Sequence, residues 1–309
     1  MEKLLELKNI TAGYGEVAII KNISFAIDQG EVLGIVGESG SGKSTLLKAI
    51  MQIKQTGIKV FDGKVIYNGR DLETLSEEEK RRIRGEKLGV IFQNPGSSLN
   101  PTRKIKKQFI ETLTSHKKID KQKALEEILK IFEKLSLKDG ERILNSYPFE
   151  LSGGMNQRVA IALAMLMDTN LLLCDEPTSA LDASVEVKVV EEFKNLNKKF
   201  NTSIIIITHN MGVVANMANT IGVMYGGYML EYGDVDKVLK TPKHPYTKAL
   251  INSVPKLNGK VPETMDFSKF DYTELEKIYE ENKEKLMDNP FKLIEIDEKH
   301  MVSLIKIKR

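Results

Sequence analysis

Residues 37–45 read GESGSGKST, directly after the apolar run VLGIV and directly before the helical pattern LLKAI. This order of strand, glycine-rich loop and helix is what a phosphate cradle needs, and it confines the chain to an α/β core with the loop at a strand's end. Gly37, Gly40 and Gly42 let backbone N–H groups turn inward on phosphate oxygens, and the helix N-terminus behind them adds positive potential. Glu38, Ser39 and Ser41 complete the loop. Lys43 is placed to hold β- and γ-phosphates, Ser44 to offer its hydroxyl to Mg2+, and Thr45 to lie beside the α-phosphate.

The rest of the pattern agrees with a layered core. Short apolar runs rich in branched residues recur at Val32 to Val36, Leu88 to Phe92, Leu171 to Cys174 and Ile204 to Ile207, the texture of buried strands. Leu4 to Ile27 and Gly63 to Asn68 read instead as strands of an antiparallel sheet beside that core. Between Gln93 and Ser152 the strand signal vanishes. There Lys121 to Leu137 carries Leu125, Ile128, Leu129, Phe132 and Leu135 on one helical face, which predicts an inserted helical subdomain whose stripe is buried by packing. After Tyr246 the texture changes again. Asn258, Gly259 and Pro262 break it up, and Thr273 to Met287 is a charged stretch with helical character, so residues 256–309 read as a small C-terminal appendage.

Composition removes several classes of function. A net charge of +3 with 29% charged residues mixes both signs over the surface, so nucleic acid is not expected as a partner. Cys174 is the single cysteine, which excludes an internal disulfide framework or a multi-cysteine metal site supplied by this chain and fits a reducing, cytosolic setting. The N-terminus, MEKLLELKNITAGYGE, has no apolar core of signal-peptide length, and no stretch reaches the roughly 18 apolar residues of a membrane span. A role at a membrane would require docking onto a protein that spans it.

A phosphate loop needs a second element to hold metal and activate water. LLLCDEP at 171–177 supplies it: a buried strand ending in Asp175, suited to coordinate Mg2+ through water, and Glu176, placed to polarise the attacking water. These two motifs alone are compatible with kinases, GTPases, helicases and transport ATPases. LSGGMNQR at 151–158 narrows the choice, because it resembles the Leu-Ser-Gly-Gly-Gln signature of the ABC ATPases, and the resemblance extends over nearly all of residues 1–255.

That resemblance implies a P-loop NTPase of ABC type over residues 1–255: a RecA-like core, an antiparallel β subdomain and a helical subdomain at about 94–158. It also implies a set of roles. Tyr14 matches the aromatic that stacks on adenine. Gln93 matches the glutamine linking Mg2+ and the attacking water to a transmembrane partner. SALD at 179–182 matches the loop where two subunits touch, and His209 matches the switch histidine at the γ-phosphate. Ser152, Gly153 and Gly154 open a helix, expected from about Met155 to Met167, whose N-terminus attracts phosphate. By resemblance it faces the γ-phosphate bound on a second subunit packed head to tail, so that ATP is sandwiched, and closing and opening deliver the power stroke. Met155 stands where glutamine is usual and reads as a branch marker that leaves Ser152 and the glycines intact.

NPGSSLNP at 94–101, YPFELSGGM at 147–155 and TPKHPYTKALINSVP at 241–255 resemble the peptide and nickel importer branch. The branch implies a second, similar ATPase subunit as heterodimer partner, two transmembrane permease subunits, an extracytoplasmic substrate-binding protein, and a peripheral place on the cytoplasmic face of the membrane. Pro242 and Pro245 are expected to set a turn before a short helix from Tyr246 to Ile251, with no chemistry of their own. The cysteine-free tail excludes the iron–sulfur cluster that many relatives carry there. A non-transport ABC ATPase, acting in DNA repair or on ribosomes, is the alternative; long coiled-coil insertions or a second cassette would mark it, and this chain has neither. A P-loop kinase is disfavoured by the signature.

Overall fold

The computed structural model describes residues 3–53, 57–93, 99–179, 182–253, 265–286, 289 and 291–307, with Ala183 and Lys285 by backbone alone. It divides into two compact units, one formed by Met1–Glu73 with Ile207–Arg309 and one by Thr74–Ile206.

The first unit opens with β1 (Leu5–Tyr14), β2 (Val17–Ile27), β3 (Val32–Val36), α1 (Lys43–Met51), β4 (Ile58–Tyr67) and β5 (Arg70–Asp71). β1 and β2 alternate buried and open positions, as strands with one wet face must, and pair antiparallel with Leu5 opposite Ile27. β4 pairs on the other side of β1, giving the order β2-β1-β4-β5. The expected antiparallel sheet is present, and its third strand starts at Ile58, ahead of the expected Gly63. β3 is buried at every position, which is why it reads as a continuous apolar run.

The second unit contains α2 (Glu77–Glu86), β6 (Leu88–Ile91), α3 (Ile105–His116), α4 (Lys121–Lys134), α5 (Gly140–Asn145), α6 (Gly153–Ala164), β7 (Leu171–Asp175), α7 (Ala183–Phe200) and β8 (Ser203–Ile207). β6 and β7 pair in parallel, Leu88 opposite Leu171. α2 begins with a full capping box, Ser76 accepting from the Glu79 N–H while Glu79 reaches back to the Ser76 N–H. Asp120 caps α4. Of the predicted stripe on α4, Ile128 and Phe132 are fully buried with Ala124, while Leu125, Leu129 and Leu135 flank them half-buried. Phe109 of α3 meets Phe132 edge-on at 5.2 Å, the aromatic centre of this helical core.

The chain then adds α8 (Met211–Met217), β9 (Thr220–Tyr225), β10 (Tyr228–Asp234), α9 (Val235–Lys240), α10 (Pro245–Asn252), α11 (Thr273–Asn282), β11 (Ile294–Asp297) and β12 (His300–Val302) to the first unit. β9 runs parallel to β3, and β10 antiparallel to β9. The charged stretch forms α11 and a 3-10 turn, Lys283–Leu286, as expected in outline. β11 and β12 have no counterpart in the sequence-based reading: β12 pairs with β10, Glu231 opposite Val302, and extends the sheet that holds β3 and the glycine-rich loop after it. Among the described residues no helix is long and apolar enough to cross a membrane.

Candidate functional site

In the first unit the loop after β3 turns through positive φ at Gly40 (82°) and Gly42 (101°) and hands over to α1 at Lys43. Gly42 must lack a side chain, because a Cβ there would lie 2.8 Å from the Ile20 side chain in a backbone conformation that L-residues resist. A Cβ on Gly40 would meet nothing within 4 Å, so that face of the loop is open to a ligand. Lys43 is buried at 5% exposure, and its ammonium donates to the carbonyls of Gly37 (2.8 Å) and Glu38 (2.7 Å) and to Ser41 Oγ (3.3 Å). No acidic residue occupies the first turn of α1, so the positive helix end is uncompensated by side chains and suits an anion. Ser44, next along, is exposed and Thr45 is buried.

Tyr14 closes β1 half-buried, and Lys48 of α1 donates to its phenol oxygen at 3.3 Å with the ammonium 5.7 Å from the ring centroid. His209 lies in the exposed turn between β8 and α8, where Asn210 caps the helix through the Gly212 N–H.

Sequence reasoning missed one residue of this neighbourhood. Tyr246, expected only to open a short helix, is fully buried in α10, and its phenol oxygen accepts the Glu38 N–H of the glycine-rich loop at 3.2 Å. His244 caps that helix, its Nδ1 accepting from the Tyr246 N–H at 3.1 Å while Nε2 bonds the Ile305 carbonyl at 3.0 Å. This requires the neutral tautomer with the proton on Nε2. Burial, only partly opposed by the Ile305 carbonyl and the Glu231 charge, holds the His244 imidazole below its ordinary value of 6.5, with Lys248 adding to the depression. The folded protein thus resists a proton that the unfolded chain accepts, so this contribution to stability is complete above about 6.5 and is lost as pH falls through and below it. His244→Asn keeps a capping oxygen and removes the titration. Its thermal midpoint is expected to fall less between pH 7 and 5 than that of the wild type; parallel curves would overturn this reading.

In the second unit β7 is buried through Cys174 and emerges at Asp175. Burial, then the Asp175 charge, pushes the Cys174 thiol well above its usual range, so it is an inert core residue. Glu176 follows with φ +47°, a left-handed conformation unusual outside glycine and asparagine, and its carbonyl accepts from the Ser179 N–H and hydroxyl. Gln157, 2% exposed, donates to the Pro177 carbonyl at 3.1 Å and ties α6 to the chain just past the two carboxylates.

α6 begins at Gly153, two residues before the expected start, and ends at Ala164, three before the expected end. The early start follows from Ser152, whose hydroxyl accepts the Met155 N–H at 3.4 Å as the N-cap and so offsets the poor helix propensity of two glycines. Ser152, Gly153 and Gly154 are all exposed, and a Cβ at either glycine would meet nothing within 4 Å. The fold itself therefore does not demand glycine there. Met155 packs against the helical core, which gives an apolar side chain a physical place in the signature. Gln93 is exposed just after β6. Residues 94–98 of the expected branch loop, Ala180 and Leu181 of the subunit-contact loop, and residues 254–255 of the tail motif lie outside the described residues.

The chain matches the ABC transporter family over residues 20–179 and the oligopeptide/dipeptide transporter C-terminal region over residues 230–274. The oligopeptide transport ATP-binding protein OppD of Bacillus subtilis is 44% identical over 262 residues, covering 83% of this chain and 73% of that protein. The dipeptide transport ATP-binding protein DppD of Lactococcus lactis is 40% identical over 265 residues, covering 84% and 76%. Among solved structures, the dimeric ATP-binding cassette MJ0796 bound to ADP and Pi superposes with a TM-score of 0.64 at 28% identity, covering 75% of this chain and 98% of that one.

Proposed function

This chain belongs to the ATP-hydrolysing subunits of ABC transporters, and on that premise we propose that it powers an importer of oligopeptides or dipeptides. The observation that carries the cargo class is the match of residues 230–274 to the C-terminal region of peptide transporters, alongside relatives named for peptide transport. Neither the fold nor those relatives favour a DNA-repair or ribosome-acting ATPase.

In this reading residues 1–255 are the nucleotide-binding domain, with its helical subdomain at about 94–158, and residues 256–309 extend it. Gly37 to Thr45 cradle the phosphates and Tyr14 faces adenine. Ser152, Gly153 and Gly154 present the α6 N-terminus to the γ-phosphate held by a second subunit. The openness of both glycines to solvent supports that last role. Ser44, Gln93 and Asp175 would hold Mg2+, all hard oxygen donors suited to it. Such an ion would neutralise charge on the β- and γ-phosphates. Glu176 polarises the attacking water and His209 senses the γ-phosphate. Closure on ATP and release on hydrolysis drive two permease subunits, with a second ATPase as partner and an external binding protein delivering cargo. The chain works peripherally on the cytoplasmic face of the membrane. The dimeric state of the solved cassette supports pairing of two subunits.

Purification of the chain from its native membrane in mild detergent tests the assembly. Co-elution of two permeases and a second ATPase is the expected result, and the recovered permease then permits a peptide-uptake assay. Elution alone, or as a soluble homodimer, would count against the importer reading.

A further inference from the structure

We propose that Tyr246 is a positioning residue of the phosphate loop: by holding the peptide between Gly37 and Glu38, it sets the Gly37 carbonyl against which the Lys43 ammonium is seated. The Glu38 N–H that Tyr246 accepts and the Gly37 carbonyl that Lys43 grips belong to one planar peptide group. Because the plane is rigid, fixing its N–H on one side fixes the direction of its carbonyl on the other. Without the phenol oxygen, that peptide loses the bond restraining its N–H side, and the ammonium loses one of its fixed acceptors.

The phenol is built for this task rather than for packing alone. Tyr246 is fully buried beside Tyr225, ring centroids 4.8 Å apart, and phenylalanine would fill the same space. A buried hydroxyl with no partner would be costly, and this one spends its acceptor capacity on the loop. Burial also keeps the phenol protonated far above its ordinary range, so it remains neutral at any working pH.

The position of Tyr246 is itself over-determined. Glu231, with no exposed surface, accepts the Lys243 and His244 N–H groups at 2.8 and 3.0 Å and pairs with His300 of β12 at 2.7 Å. His244 then caps the helix through Tyr246's own N–H. A buried, fully engaged carboxylate at the base of α10 is an expensive feature that a purely apolar contact would not need.

The inference rests on Lys43 being a phosphate ligand, and the experiment separates the two. Binding of AMP-PNP with Mg2+ to the full chain is measured by calorimetry for Tyr246→Phe, Tyr272→Phe and Lys43→Ala. Tyr272 serves as control because, among the described residues, its hydroxyl bonds the Ile307 backbone and not the glycine-rich loop. Tyr246→Phe is expected to weaken binding about three- to tenfold, the loss of one hydrogen bond, while Tyr272→Phe leaves it unchanged. Unchanged affinity in Tyr246→Phe, or equal weakening in Tyr272→Phe, would overturn the proposal. If Lys43→Ala itself binds like the wild type, it is the lysine assignment that fails; if Lys43→Ala loses binding and Tyr246→Phe does not, only the role of Tyr246 fails.

Discussion

Glu176→Gln is expected to bind ATP like the wild type and to hydrolyse it about 10²- to 10⁴-fold more slowly, the loss that follows removal of a general base. The substitution is nearly isosteric and asks nothing new of the backbone. Both side chains are equally strained at φ +47°, and the Glu176 carbonyl keeps its bonds to Ser179. A non-glycine residue held in the left-handed region costs about 1–3 kcal/mol, and such residues gather where geometry serves function. Here the turn lets the chain leave β7 sharply, with Asp175 at the strand end and Glu176 beyond it. Single-turnover hydrolysis is the decisive measurement, because it isolates the chemical step from product release. A near-normal rate in Glu176→Gln would remove the residue from the role.

The second large effect is expected at Lys43. Lys43→Ala should weaken ATP binding by at least about 100-fold, since the ammonium supplies charge-assisted hydrogen bonds worth about 1.5–3 kcal/mol each. In the structure that ammonium donates to the Gly37 and Glu38 carbonyls and to Ser41 Oγ, which hold it in place, buried within the loop. Pre-organisation of this kind reduces the entropy lost on binding. Calorimetry reads the change directly, and an unchanged affinity would sink the cradle assignment.

The glycine-rich loop was legible because its turns and the helix start are local. Nine consecutive residues, 37–45, carry the turn glycines, the lysine and the start of the helix, and the apolar run before them is buried at every position. The carboxylates at the end of β7 and the Ser152 cap of α6 were legible for the same reason, although α6 starts two residues early, where that cap offsets glycine propensity, and ends three residues early. The Glu231–His300 pair and the strands β11 and β12 were not legible. Strands of four and three residues are too short for alternation to register, and only the pairing of β12 with β10 and of β11 with β12 makes them strands.

Sequence alone, then, determined the glycine-rich loop after β3 and the capped start of α6, because backbone turns and helix ends are dictated by residues within a few positions of one another. Only the tertiary structure decided that Tyr246 reaches the glycine-rich loop. Its partner, Glu38, lies 208 residues away, and a hydrogen bond at that separation depends on how α10 packs and caps, which no local pattern encodes.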